Sequence, residues 1–192
     1  MTPSHSGFRP NRSTSDVVWA HRWITAKTQC SPDLELKITG LDMSAAFDTI
    51  DRRELLTILK EILNDDEVRI IQYLLSETKL NVRIDGNNTE RPFISNIGTP
   101  QGDSLSPVLF IVYLEHSLRD IRSRPEDTMP NEIIYADDID FIGKTHSDID
   151  QIERVLHQHN LKVNVNKTEL TSLRRDSEEW KTSKKSGITP WK

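Results

Sequence analysis

The sequence predicts an α+β fold, an antiparallel sheet covered by helices on one face. Three observations predict it. Apolar and polar residues alternate at the strand period in Leu34 to Ile38, Leu80 to Ile84 and Leu161 to Val165. Between these runs, apolar residues recur at helical spacing, as in Leu55, Leu56, Leu59, Ile62 and Leu63. Hairpin signals join neighbouring strands: Asp85-Gly86 in one place, and two acids between the apolar runs Ile133-Ile134 and Ile139 to Ile142 in another. Antiparallel strands with helices segregated to one face make such a layer.

Composition bounds the answer. The 192 residues suit one domain, read as 1–173, and a polar, mobile tail, 174–192, where Asp, Glu, Lys, Ser and Thr take over. Hydrophobic content is 35% and charged content 29%, so the core is assembled from short apolar runs. A net charge of −5 argues against a generic basic nucleic-acid module, yet leaves room for an enzyme whose acids gather at a metal site. One cysteine, Cys30, cannot form an internal disulfide, which suits a reducing, intracellular setting in the nucleus or cytoplasm. No apolar run approaches the ~20 residues of a membrane span, and Met1 is followed by no signal-peptide core.

Taken in order, residues 1–15 form a loop with Arg9 and Arg12, and Ser15 or Asp16 caps a helix over 16–27. Trp19 and Trp23, four apart, share a helix face and are read as core rather than as base-stacking residues. After Ser31-Pro32-Asp33 comes the strand that runs into Asp42. Unbroken alternation would put Asp42 on the apolar face, where a carboxylate needs a partner or a metal; a bulge at Gly40 would reset the phase. Helices over 52–63 and 66–76 begin at Asp51 and Asn64-Asp65-Asp66, and a hairpin turns at Asp85-Gly86. Gly98 to Pro107 is a Gly- and Pro-rich loop that opens a helix over 105–119, and Gly102 there permits close approach of a ligand. A polar connection over 120–131 leads to the acidic hairpin. Ser147 or Asp148 caps a helix over 148–159, and the strand from Leu161 ends near Lys167, where a lone lysine is ordinarily solvated.

The chemistry centres on Tyr135-Ala136-Asp137-Asp138. Adjacent carboxylates repel, and folds that keep them together do so around a shared proton or a divalent cation; the plain alternative is a polar turn. Asp42 lies at the end of another strand of the same expected sheet. Three carboxylates at one place suit two divalent cations, which clamp the attacking and leaving oxygens of an in-line phosphoryl displacement.

Several blocks in order resemble the reverse transcriptases of non-LTR retrotransposons and group II introns. Gly7-Phe8-Arg9-Pro10-Asn11-Arg12-Ser13-Thr14 resembles the block before the palm, Asp42 to Asp48 motif A, Gly98 to Pro107 motif B, Tyr135 to Asp138 motif C and Leu161 to Glu169 motif D. The resemblance spans about residues 6–181. It implies a polymerase palm, with fingers mostly and thumb wholly absent, for RNA-directed DNA synthesis. It implies that Asp42, Asp137 and Asp138, with the Met43 carbonyl, hold two Mg²⁺ ions, for which Mn²⁺ can substitute. Phe47 then gates against a ribose 2′-OH, Gln101, Gly102 and Arg9 line the substrate pocket, and Lys167 protonates the leaving pyrophosphate. The implied partners are an RNA template, a DNA primer, dNTPs and the missing fingers and thumb of a longer polyprotein. The different expectation is a retroelement remnant without enzymatic function.

Overall fold

The computed structural model describes residues 4–76, 78–81, 83–84, 87–88, 92–100, 102–122, 131–143, 149–164, 166–175 and 181–184. Its elements follow as α1 (Thr14–Cys30), β1 (Leu36–Leu41), β2 (Met43–Ser44), α2 (Arg52–Leu59), α3 (Asp65–Leu75), β3 (Thr78–Leu80), β4 (Arg83–Ile84), β5 (Asn87–Asn88), β6 (Phe93–Ser95), α4 (Ser106–Arg122), β7 (Asn131–Tyr135), β8 (Asp138–Gly143), α5 (Ile149–Gln158), β9 (Lys162–Val163), β10 (Glu169–Leu173) and β11 (Lys181–Lys184). The chain divides into two compact units, one of Met1–Ser44 with Ser117–Lys192 and one of Ala45–His116.

The first unit is built on a five-stranded sheet in the order β11-β10-β1-β8-β7, every pairing antiparallel. β1 keeps an unbroken register with both neighbours, so Gly40 makes no bulge and the alternation runs through. One face carries Thr39, Leu41, Ile139 and Phe141, all buried. The other carries Ile38, Ile142 and Leu173, a small apolar cluster against which Ile24 of α1 packs. That contact explains the orientation of α1. Val17, His21, Ile24 and Thr28 follow helical spacing along its inner stripe. Trp19 and Trp23 fall on the outer side, 66% and 52% exposed, contrary to the core expectation. The Lys27 ammonium sits 4.8 Å above the Trp23 ring.

α1 starts earlier than the spacing suggested, because the Asp16 carboxylate accepts the Ser13 N–H at 2.7 Å. The N-terminal strand-like segment is fastened to β7: Ser6 N–H donates to the Ile134 carbonyl at 2.8 Å and Ile134 N–H to the Ser4 carbonyl at 3.0 Å. Two strands were hidden in the sequence. β10 lies beside β1, and β11, drawn from the stretch read as a tail, pairs with β10 at the sheet edge. Pairing uses only backbone N–H and C=O groups, so a polar composition does not forbid it. The two acceptors proposed as caps for α5, Ser147 and Asp148, lie outside the described residues, as does the Asp85-Gly86 turn.

In the second unit, Asp51 caps α2 by accepting the Arg53 and Glu54 N–H groups. Asn64 caps α3, and Glu67 returns a bond to the Asn64 N–H at 3.0 Å. β3 pairs with β6 and β4 with β5, which gives the expected hairpin in two short ladders. The start of α4 supplies Leu109, Phe110, Ile111, Tyr113 and Leu114, all buried.

Candidate catalytic site

The sheet register assembles the acids of the first unit. Gly40 pairs with Asp140 and Leu41 with Ile139, so the next step places Asp42 opposite Asp138. Tyr135 pairs with Asp138, which makes Ala136 and Asp137 the turn of the β7–β8 hairpin. Ala136 takes a positive φ of 55°, a conformation that costs an alanine about 1 kcal/mol. Gly7 lies directly against that turn: a Cβ there would stand 2.2 Å from the Ala136 nitrogen. The expected block before the palm thus has a physical task, since any side chain at position 7 would push the acidic turn away.

Asp42 leaves β1 with its carbonyl accepting the Asn164 N–H at 2.8 Å, and Met43 pairs with Val163 of β9. This tie brings the following turn to the site. Lys167 Nζ then stands 3.4 Å from Asp42 Oδ1. Asp140, two residues beyond Asp138 and hence on the same face, meets His21 Nε2 of α1 at 2.9 Å. Gly40 makes room for it: a Cβ at that position would lie 2.8 Å from Asp140 Oδ1. Asp42, Asp138, Asp140, His21 and Lys167 all line one cavity of about 810 Å³.

Electrostatics record the crowding. Desolvation raises the Asp138 pKa above the ordinary carboxylate value, and the charges of Asp137, Asp42 and Asp140 raise it further, while Lys167 lowers it. A carboxylate held above its usual value by like charges is one that a cation would relieve. The donor chemistry fits a hard divalent ion: oxygen ligands from Asp42, Asp137 and Asp138 in one electrostatic neighbourhood. Among the described residues, no three acidic, His or Cys side chains are already gathered as a finished metal cage. The cation beside Asp42 is the Lys167 ammonium.

The remaining expected site residues divide. Arg9 is half-buried and donates from Nη1 to the His5 carbonyl at 2.9 Å. Phe47 belongs to the second unit, where its half-buried ring rests on Phe110 with centroids 4.6 Å apart and planes inclined by 32°. Gly102 also belongs there. Its φ of 94° favours glycine, and a Cβ built on it meets nothing within 4 Å. Gln101 lies outside the described residues. Sequence reasoning missed His21, Gly40 and Asp140. Asp140 was within reach, because strand period places it on the face of Asp138. No helix among the described residues is long and apolar enough to cross a membrane.

Comparison with known proteins agrees with the fold. Residues 1–187 match a family model described as reverse transcriptase (RNA-dependent DNA polymerase). A Pol polyprotein of the type-1 retrotransposable element R2 from Popillia japonica is 33% identical over 79 residues, 41% of this chain and 13% of that one. The Drosophila melanogaster protein named "Probable RNA-directed DNA polymerase from transposon BS" is 29% identical over 115 residues, 59% of this chain and 12% of that one. Telomerase from Candida tropicalis, solved in complex with a TWJ fragment of telomeric RNA, superposes with a TM-score of 0.67 at 13% identity, covering 97% of this chain and 35% of the telomerase chain. The same enzyme without its C-terminal domain gives 0.63 at 18% identity, covering 92% and 38%. At these identities the structural likeness speaks for the fold, an α+β polymerase palm.

Proposed function

The chain belongs to the reverse transcriptase family, and from that premise we propose that it forms the palm at which an RNA-directed DNA polymerase joins dNTPs to a primer 3′-OH. One observation carries the reading. Asp42 stands opposite Asp138, with Asp137 in the adjoining turn, and burial, then the charges of these neighbouring acids, raise the proton affinity of Asp138. Asp42, Asp137 and Asp138, with the Met43 carbonyl, would hold two Mg²⁺ ions, or Mn²⁺ in their place. Such ions, when bound, stabilise charge on the attacking and leaving oxygens of phosphoryl transfer.

The side chains have the remaining roles. The Lys167 ammonium, free to leave Asp42 once its charge is met elsewhere, hands a proton to departing pyrophosphate. The Phe47 ring, held on Phe110, faces the nucleotide sugar and collides with a 2′-OH. Arg9, Gln101 and Gly102 border the nucleotide and template. An RNA template and a DNA primer are the substrates. Fingers and thumb of a longer polyprotein complete the walls, and the work is intracellular. The matched segments make up 13% and 12% of two of the relatives, which is the observation favouring a second reading, a catalytically inactive retroelement remnant without enzymatic function.

Primer extension on an RNA template with dNTPs and Mg²⁺ tests the reading. Incorporation by this chain, abolished in Asp137→Ala, supports it. Silence that persists after fingers and thumb are supplied from a full-length relative defeats it. Calorimetric Mg²⁺ titration gives a readout that needs no turnover: the wild type should bind and Asp42→Asn bind at least tenfold more weakly.

A further inference from the structure

Arg52 is the first residue of α2, lies outside the sheet-bearing unit that holds the acids, and is buried. Its guanidinium donates to four main-chain carbonyls: Nε to Gly98 at 2.7 Å, Nη1 to Leu75 and to Ser95 at 2.8 Å, and Nη2 to Ile97 at 3.2 Å. Desolvation lowers its pKa from the usual guanidinium value. These acceptors come from the end of α3, the end of β6 and the start of the Gly98 loop. One fork therefore fixes three separate pieces of backbone.

The loop so fixed is fastened in turn to the Phe47 segment. Gly98 N–H donates to the Ile50 carbonyl and Thr99 N–H to the Phe47 carbonyl, each at 2.8 Å. Gly98 has a φ of 69°, and a Cβ there would stand 2.7 Å from the Asp48 Cα and carbonyl oxygen. The approach of the two segments is thus as close as backbone allows. Below, Phe110 supports the Phe47 ring.

We propose that Arg52 is a positioning residue for sugar selection: through the Gly98–Thr99 segment it sets the height and tilt of Phe47, and Phe110 completes the mount. The proposal rests on the reading of Phe47 as the residue that meets the nucleotide sugar, and it adds the device that holds it. A side chain that merely filled space would not need a planar fork, and a lysine could replace it. A fork that holds a gate makes Arg52→Lys a specificity mutation.

The experiment compares dTTP and UTP incorporation on an RNA template by the full chain and its variants, supplemented with fingers and thumb where these are needed for turnover. Arg52→Lys should lower the dTTP-over-UTP ratio of kcat/KM about tenfold, since small misplacements of a contacting group carry such factors. Phe110→Leu should do the same if Arg52→Lys folds poorly. Tyr113→Phe, which removes a bond to Glu54 in the same unit, should leave the ratio unchanged and so controls for loss of stability alone. A ratio unchanged within about twofold in both Arg52→Lys and Phe110→Leu, with Phe47→Ala altering it, overturns the proposal. If Phe47→Ala itself leaves the ratio unchanged, the gate reading has failed instead. Fluorine NMR of 4-fluorophenylalanine at Phe47 then decides on position without turnover. Arg52→Lys should shift or split the Phe47 line while Tyr113→Phe does not, and an unmoved line in Arg52→Lys overturns the mount.

Discussion

In the sheet-bearing unit, Asp42, Asp138, Asp140 and Glu169 line an open cavity together with Lys167 and His21. In the Ala45–His116 unit, the buried Arg52 meets four carbonyls and Tyr113 Oη donates to Glu54 Oε2 at 2.6 Å. Both units concentrate charge, but they settle it differently. Around Arg52 the fold supplies every acceptor itself, so the charge serves architecture. Around Asp138 the fold supplies more negative than positive charge and leaves the excess facing a cavity. A folded chain tolerates such an excess where something from outside completes it.

The largest effect that separates the two is expected at Asp138. Asp138→Asn should reduce incorporation on the order of 10²- to 10³-fold, the scale for removing one group that stabilises transition-state charge. It should not unfold the protein. Because its folded pKa is raised, folded Asp138 binds a proton more readily than the unfolded chain does. Its contribution to stability is therefore lost as pH rises from the unfolded value of 3.8 through the higher folded one. Denaturant midpoints measured across that window should fall with pH in the wild type and be flatter in Asp138→Asn. Equal slopes would mean that neither burial nor the neighbouring acids raise Asp138 in the folded chain.

Arg52 should show the reverse pattern. Arg52→Ala leaves carbonyls of Gly98, Leu75, Ser95 and Ile97 without their donor, and a loss of about 3 kcal/mol in unfolding free energy is expected. The pH slope assigned to Asp138 should survive in the folded fraction. Tyr113→Phe is the milder break in the same unit. Burial, and then the bond to Glu54, push the Tyr113 hydroxyl pKa up, so it stays a neutral donor; removing it should cost about 1.5 kcal/mol in a denaturant titration.

Arg52 also marks the limit of what the sequence discloses. It is followed by Arg53, an identical side chain that is exposed. Nothing in Asp51-Arg52-Arg53-Glu54 says which arginine turns inward, because the acceptors lie 23 to 46 residues further on. The acidic strands were legible for the opposite reason. Alternation in Leu36 to Leu41 and in Ile133 to Ile142 is local, and it fixed the face of Asp42 once Gly40 proved to be in register. β10 escaped notice because Glu169-Leu170-Thr171-Ser172-Leu173 sets its two leucines three apart, which breaks the period-two alternation. Trp19 and Trp23 misled because aromatic spacing tells which residues share a face, not which face meets the sheet.

The smallest effect is expected at Lys167, and it bears most closely on the difference between the units. Its side chain is 65% exposed beside an Asp42 side chain that is 26% exposed, so the pair is solvent-screened and should contribute less than about 1 kcal/mol. Lys167→Met should therefore hardly change the denaturant midpoint at neutral pH. It should nevertheless move Asp138 further up in a pH titration followed by NMR, since Lys167 is the charge that opposes the surrounding acids. A large stability loss without that movement would make Lys167 an internal partner of the Arg52 kind. A small loss with the movement would make it a replaceable counter-charge to the acids around Asp138.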